Sequence, residues 1–153
     1  MIDNLRITPP QMHYGQGIST LAALLTNSSN NAAHPANGLA ALYLATGQDI
    51  ANIGESNQCT TYNKVTREGD YYFSITMPAL IMATHGGGTA LPTQRECLEI
   101  MDCFGKGKAH KLAEIAAGLV LAGELSLGAA TRVDKETRKN EWVDAHERLG
   151  RNR

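Results

Sequence analysis

The sequence predicts a mixed α/β (α+β) domain, helices packed on a small, mostly antiparallel sheet. Three observations carry that prediction. Fifteen glycines and an Ala- and Leu-rich apolar set, against two Phe and one Trp, describe helices packed through small side chains rather than an aromatic sandwich. Two strand-like segments, Gln58 to Lys64 and Asp70 to Met77, flank Val65-Thr66-Arg67-Glu68-Gly69, whose glycine suits a hairpin loop. The long segment from Ala109 to Thr131 is helical by composition.

Taken in order, Ser19 to Leu25 reads as a short helix with Ser19 as N-cap, ending in the polar loop Thr26 to Asn31. A second helix starts near Pro35, a favourable first-turn residue, and runs through Leu39, Leu42, Tyr43 and Thr46 toward Ile50 and Ile53; Asn37 and Asp49 bracket it. The second strand puts Tyr71, Phe73, Ile75 and Met77 on one face and Tyr72, Ser74 and Thr76 on the other. Ala83 to Thr89 is a glycine-rich loop. Thr93-Gln94-Arg95-Glu96 has the pattern of a capping box opening a helix that Gly105 closes.

The glycine-rich loop has two readings. Its backbone N–H groups can hold a phosphate or a cofactor edge, or it is a tight strand-to-helix loop or a backbone crossing at a subunit contact. Within Ala109 to Thr131, Gly118, Gly123 and Gly128 recur every five residues. Each costs a helix about 1 kcal/mol relative to alanine, so their presence predicts close packing against another backbone. Glu124, inside that apolar run, reads as an interior hydrogen-bond hub. Val133 to Arg153 is highly charged, with Trp142 and Val143 as its large apolar pair and His146 within it. It reads as an amphipathic helix or a mobile tail, dividing the chain into 1–132 and 133–153.

With 153 residues the chain is long enough to bury roughly 70% of its unfolded surface, so the fold needs no metal or disulfide staple. Fourteen Lys+Arg balance fifteen Asp+Glu, which leaves no electrostatic footprint for nucleic acid or an anionic membrane. Cys59, Cys97 and Cys103 are odd in number and lack CxxC spacing, so they are expected as reduced thiols in a cytoplasmic protein, and no metal site is expected. The apolar run Ile115 to Leu127 carries Glu124 and is expected to be a buried helix, not a membrane span.

Asn31-Ala32-Ala33-His34-Pro35-Ala36-Asn37, then Ala41 to Asp49, then Glu55-Ser56-Asn57-Gln58-Cys59-Thr60, resemble the C-terminal third of the eukaryotic-type (class I) 3-hydroxy-3-methylglutaryl-CoA reductases. Later motifs are collinear: Gly69-Asp70-Tyr71-Tyr72, Thr76-Met77-Pro78, Gly86-Gly87-Gly88-Thr89-Ala90-Leu91-Pro92 and Leu121 to Leu127, ending with His146 and Arg151-Asn152-Arg153. The resemblance implies a fold like the large domain of those enzymes without the NADP-binding domain. It also implies roles. Asp49 matches the catalytic aspartate that shares protons during hydride transfer from NADPH, and His146 matches the tail histidine that protonates the departing CoA thiolate. Asn37, with His34 beside it, matches a substrate-contacting motif; His85, Gly86, Gly87, Gly88 and Thr89 resemble the loop bordering the nicotinamide, and Asn152 with Arg153 the terminal pair near the cofactor.

The departures carry information as well. The family's GDAMG-type motif, catalytic lysine and catalytic glutamate precede the matched region, and Gly15-Gln16-Gly17-Ile18 stands where a substrate-carboxylate lysine is expected. Ala83 replaces the loop's leading glycine and His85 its apolar residue. Three readings follow: a partial or split reductase acting on a CoA thioester with a complementary subunit that carries the missing domain; a stand-alone lyase, isomerase or cyclase using Asp49 and His146 without NADPH; or a non-catalytic binding or assembly protein. The resemblance implies a homodimer and, as cofactor, NADPH.

Overall fold

A computed structural model describes Leu5 and residues 7–132. His146, Asn152 and the charged segment from Val133 onward lie outside the described residues. The described elements are α1 (Pro9–Leu25), α2 (Pro35–Thr46), a 3-10 turn (Ile50–Asn52), α3 (Ile53–Ser56), β1 (Thr60–Val65), β2 (Tyr71–Thr76), a second 3-10 turn (Gly87–Ala90), α4 (Pro92–Ile100) and α5 (Ala109–Arg132). This is the expected α+β arrangement of helices on a two-stranded antiparallel sheet.

Helix α1 is longer than its sequence suggests. Thr8 and Gln11 form a reciprocal capping box, with Pro9 and Pro10 in the first turn, starting the helix at Pro9, ten positions before Ser19. Ser19 is therefore a mid-helix residue, and its hydroxyl donates back to the Gly15 carbonyl at 3.2 Å.

Helix α2 stops at Gly47, which takes the left-handed conformation at φ 68°, so the chain toward Ile50 and Ile53 is a turn and a second short helix rather than one continuous element. Helix α4 starts at Pro92 after Leu91, which makes no side-chain cap, so the Thr93 capping box does not form. Its end is set by Asp102 at φ 51° and by the Cys103 N–H returning to the Leu98 carbonyl at 2.7 Å; Gly105 lies three residues further on, at φ 110°.

The hairpin runs in register from Thr60 opposite Thr76 to Val65 opposite Tyr71, with Gly69 at φ 89° in its turn. A two-stranded sheet is marginal alone. It is covered on one face, where Thr61 and Asn63 from β1 and Tyr71, Phe73 and Ile75 from β2 are turned inward, by α1 and α5. The Asn31 side chain extends it laterally: Oδ1 accepts the Thr61 N–H at 2.7 Å and Nδ2 donates to the Thr61 carbonyl at 3.1 Å.

Three apolar clusters hold the elements together. Leu39 and Tyr43 of α2 meet Cys59 and Ala116 and Val120 of α5; Ile7 and Met12 meet Ala129; Leu98 and Cys103 meet Leu112. Ala109–Thr131, with a mean hydropathy of 1.5, is long and apolar enough to cross a membrane. Its fully buried Leu112, Ala116 and Val120 pack one side of it into these clusters, while only 33% of its apolar window is buried.

Candidate functional site

The end of α2 and the glycine-rich loop build one cleft. Gly47 must bend left-handed to close α2, and its Cα faces Gly88 so closely that a Cβ at Gly88 would sit 2.7 Å from the Gly47 carbonyl oxygen. A Cβ at Gly47 would likewise collide with the Gly88 backbone. The next residue, Gln48, locks the same two segments with its amide: Oε1 accepts the Ala83 N–H at 2.7 Å and Nε2 donates to the Ala83 carbonyl at 2.8 Å. The backbone crossing expected of the glycine-rich loop is therefore made within the chain, against the C-terminus of α2.

Asp49 follows directly. Its carboxylate accepts the Ala51 N–H at 3.0 Å, capping the 3-10 turn, and the residue is exposed. Asp49, Asn52, His85, Gly86, Gly87, Gly88 and Thr89 line a cleft of about 450 Å³. Gly86 and Gly87 hold φ of 81° and 54° with open space where side chains would stand. Thr89 is turned inward at 1% exposure, and its hydroxyl donates to the Gly86 carbonyl at 2.6 Å, so it shapes the loop from beneath. Asp49 and the glycine loop thus meet in one place, 34 or more residues apart in sequence.

The fit of this cleft to a dinucleotide is partial. An open glycine backbone beside a carboxylate and the His85 imidazole suits an uncharged, planar edge with hydrogen-bonding groups. Among the described residues, the lining contains no Lys or Arg to take phosphates. A cofactor's diphosphate would need residues outside this lining.

His34 and Asn37 lie at the opposite end of α2, about 18 Å away along a twelve-residue helix. Asn37 is exposed. The His34 ring is wedged between two helices, against Gly38 of α2 and Gly123 of α5, and its Nδ1 is buried with no hydrogen-bond partner among the described residues. Glu124, 8% exposed, accepts the Ala33 N–H at 3.0 Å and a short bond from the His34 N–H, which places a carboxylate at the N-terminus of α2. That is the interior hub expected of it. The close contact at Gly123 is made with an imidazole ring rather than a backbone, and Gly118 faces open space, so the packing expected of the α5 glycines holds in altered form at Gly123 and fails at Gly118.

Glu124 also borders a second cleft of about 320 Å³ between α1, Asn30 to Ala33 and the end of α5. Nearby Cys59, buried at 1% exposure, has its thiol pushed up to about 11 by burial and, secondarily, by the Glu124 charge. All three cysteines are free. Gln48 and Gly47 are the site residues that sequence reading did not single out. Their signal was a Gly-Gln pair directly between an apolar helix and Asp49.

A model of the hydroxymethylglutaryl-coenzyme A reductase family matches residues 3–151. The chain is 52% identical over 124 residues to the 3-hydroxy-3-methylglutaryl-coenzyme A reductase of Pyrococcus abyssi, covering 78% of this chain and 29% of that protein. It is 39% identical over 153 residues to the enzyme of that name from Methanothermobacter thermautotrophicus, covering 99% of this chain and 37% of that protein. Reductase 1 of Oryza sativa subsp. japonica is 46% identical over 105 residues, 64% of this chain and 20% of that protein. The chain thus spans about a third or less of the length of these relatives, and its matches are archaeal as well as eukaryotic. On the extent of the family match and these identities, the chain belongs to the hydroxymethylglutaryl-coenzyme A reductase family.

Proposed function

We propose that this chain supplies the Asp49 and glycine-loop half of a reductase site of the eukaryotic-type class, acting on a CoA thioester with NADPH. The rest of the site comes from a complementary polypeptide that carries the cofactor domain, within an assembly that includes a second copy of this chain, in the cytoplasm. The observation that supports this most is the convergence of Asp49 with Gly86 to Thr89 in one cleft, held by the Gly47 to Gly88 contact and the Gln48 amide clamp.

NADPH supplies a hydride when bound. This chain's part is to orient and to manage protons. The Ala51 N–H fixes the Asp49 carboxylate at the cleft, where it would face a cation supplied by the complementary polypeptide. Gly86 and Gly87 leave the backbone bare, so that a flat ring can approach it. His34 and Asn37, at the far end of α2 about 18 Å from this cleft, would not meet the acyl group that reacts beside Asp49 of the same chain, and any substrate contact they make belongs to a separate part of the assembled site. His146 and Asn152 would act from the charged segment 133–153, which joins the large-domain segment 1–132.

Calorimetric titration of the purified chain with NADPH and, separately, with hydroxymethylglutaryl-CoA tests this reading. Weak NADPH binding that Gly87→Val abolishes and Asp49→Asn alters is the expected result. Binding of neither compound, alone or after addition of a polypeptide carrying the cofactor domain, would sink it.

A further inference from the structure

The hairpin has two long edges, and only one of them is closed. Thr61 gives its N–H and its carbonyl to the Asn31 side chain, so both groups point away from β2, and Thr61 opposite Ile75 is a pair without bonds between the strands. Alternate residues repeat that parity. Asn63 opposite Phe73 is another such pair, whereas the Thr66 N–H, in the position of a bonded pair, donates to the Asp70 carbonyl at 2.8 Å. Phe73 and Ile75 therefore turn their N–H and carbonyl groups outward from the free side of β2. Among the described residues nothing takes these groups. Along β1, by contrast, Asn31 occupies the edge at Thr61, and Gln16 and His13 of α1 reach the side chains of Thr61 and Asn63.

We propose that the free edge of β2 is a docking site for an extended segment of the complementary polypeptide, which adds a third strand to the hairpin. The inference rests on the reading that such a polypeptide completes the site, and it names where and how this chain holds it. Outward donors and acceptors that recur about every 7 Å along a strand are answered by another extended backbone, not by a helix or a small molecule. Nothing in β2 discourages that pairing: Tyr71–Thr76 holds no charged residue and no Pro, two usual protections of a free edge. Its inward side chains Phe73 and Ile75 are only partly buried, so apolar residues at alternate positions of the incoming strand would cover them. On the outer face that strand would lie beside Tyr72, whose ring already meets Tyr62 edge-to-face at 6.1 Å. The chain spans about a third or less of the length of its relatives, which leaves ample polypeptide outside it to supply a strand. Two strands are marginal and three with an apolar face are not, so the docked segment would stabilise the hairpin as well.

Amide hydrogen exchange read by NMR tests this, on the chain alone and mixed with the cofactor-domain portion of a full-length reductase of the family. In the chain alone, the Phe73 and Ile75 amides should exchange at least about tenfold faster than those of Tyr72 and Ser74, which bond to β1; in the mixture they should slow by at least about tenfold. Phe73→Pro removes one outward N–H without touching a bond to β1, and Phe73→Ala removes the side chain alone. Phe73→Pro should bind the cofactor-domain portion at least about tenfold more weakly than Phe73→Ala. Should Phe73→Pro fail to fold, the exchange measurement on the wild type decides. Edge amides already protected in the chain alone, a complex that leaves them unprotected, or equal binding by the two variants would overturn the proposal and leave the split-site reading standing. If the two polypeptides form no complex, both fall.

Discussion

His34 occupies a slot made by two glycines on different helices, and the two glycines of α5 nearest the middle of the helix consequently have opposite roles. A Cβ at Gly123 would collide with the ring, whereas one at Gly118 would meet nothing. Gly123→Ala should therefore cost about 1–3 kcal/mol by overpacking. Gly118→Ala should add up to about 1 kcal/mol through helix propensity alone. Urea denaturation of the two variants checks the pair, and a loss at Gly118 equal to that at Gly123 would show that position, not the His34 slot, sets the cost. Of this, the sequence revealed the glycines but not their distinction. Helical spacing puts both inside α5; only the neighbour across the interface decides which one lacks room.

At the scale of elements, α2 carries the site because both its ends are fixed by unlike devices. Glu124 reaches from α5 to the N–H groups of Ala33 and His34 at one end. At the other, Gly47, Gln48 and the glycine loop interlock. Gly88→Ala should destabilise the chain by about 1–3 kcal/mol, since neither backbone can retreat without breaking the Gln48 clamp. Gln48→Ala should cost about 0.5–1.5 kcal/mol, the net worth of the lost clamp, because Ala83 is exposed and water can take the place of the amide. Hydrogen exchange at the Ala83 amide distinguishes the variants: it should accelerate strongly in Gln48→Ala, and unchanged protection there would mean that the clamp does not hold the loop. The strands and α5 were legible as elements, because alternation and a long apolar run are local patterns. The start of α1 was not, since Gly15 and Gly17 lower its propensity while the Thr8 and Gln11 capping box and the contacts of Met12 and Gln16 restore it.

For the molecule as a whole, Cys59 makes stability depend on alkaline pH. In the unfolded chain its thiol ionises near its ordinary value of 9.0; folded, burial and the Glu124 charge hold it protonated up to about 11. A group raised in this way stabilises the fold fully below the unfolded value, and that contribution is lost as pH rises from 9.0 through about 11. The loss amounts to about 2–3 kcal/mol at most. Urea midpoints at about pH 8 and about pH 10.5 should fall more steeply for the wild type than for Cys59→Ala, whose cavity cost is the same at both values. Parallel slopes would remove Cys59 as the cause.

By itself the sequence determined the α+β class, the hairpin and its register face, the core role of α5, the hub position of Glu124 and, through collinear motifs, membership of the reductase family. These rest on periodicity, turn chemistry and residue identity, which are properties of neighbours along the chain. Only the tertiary structure decided that Asp49 shares a cleft with the Gly86 to Thr89 loop while His34 and Asn37 stand at the other end of α2. It alone placed Thr89 beneath the loop and turned the apolar side of α1 outward. The reason is that such facts depend on which backbone approaches which. That is set by the steric fit of Gly47 to Gly88 and by single side-chain clamps such as Gln48 to Ala83, neither of which leaves a periodic trace in the sequence.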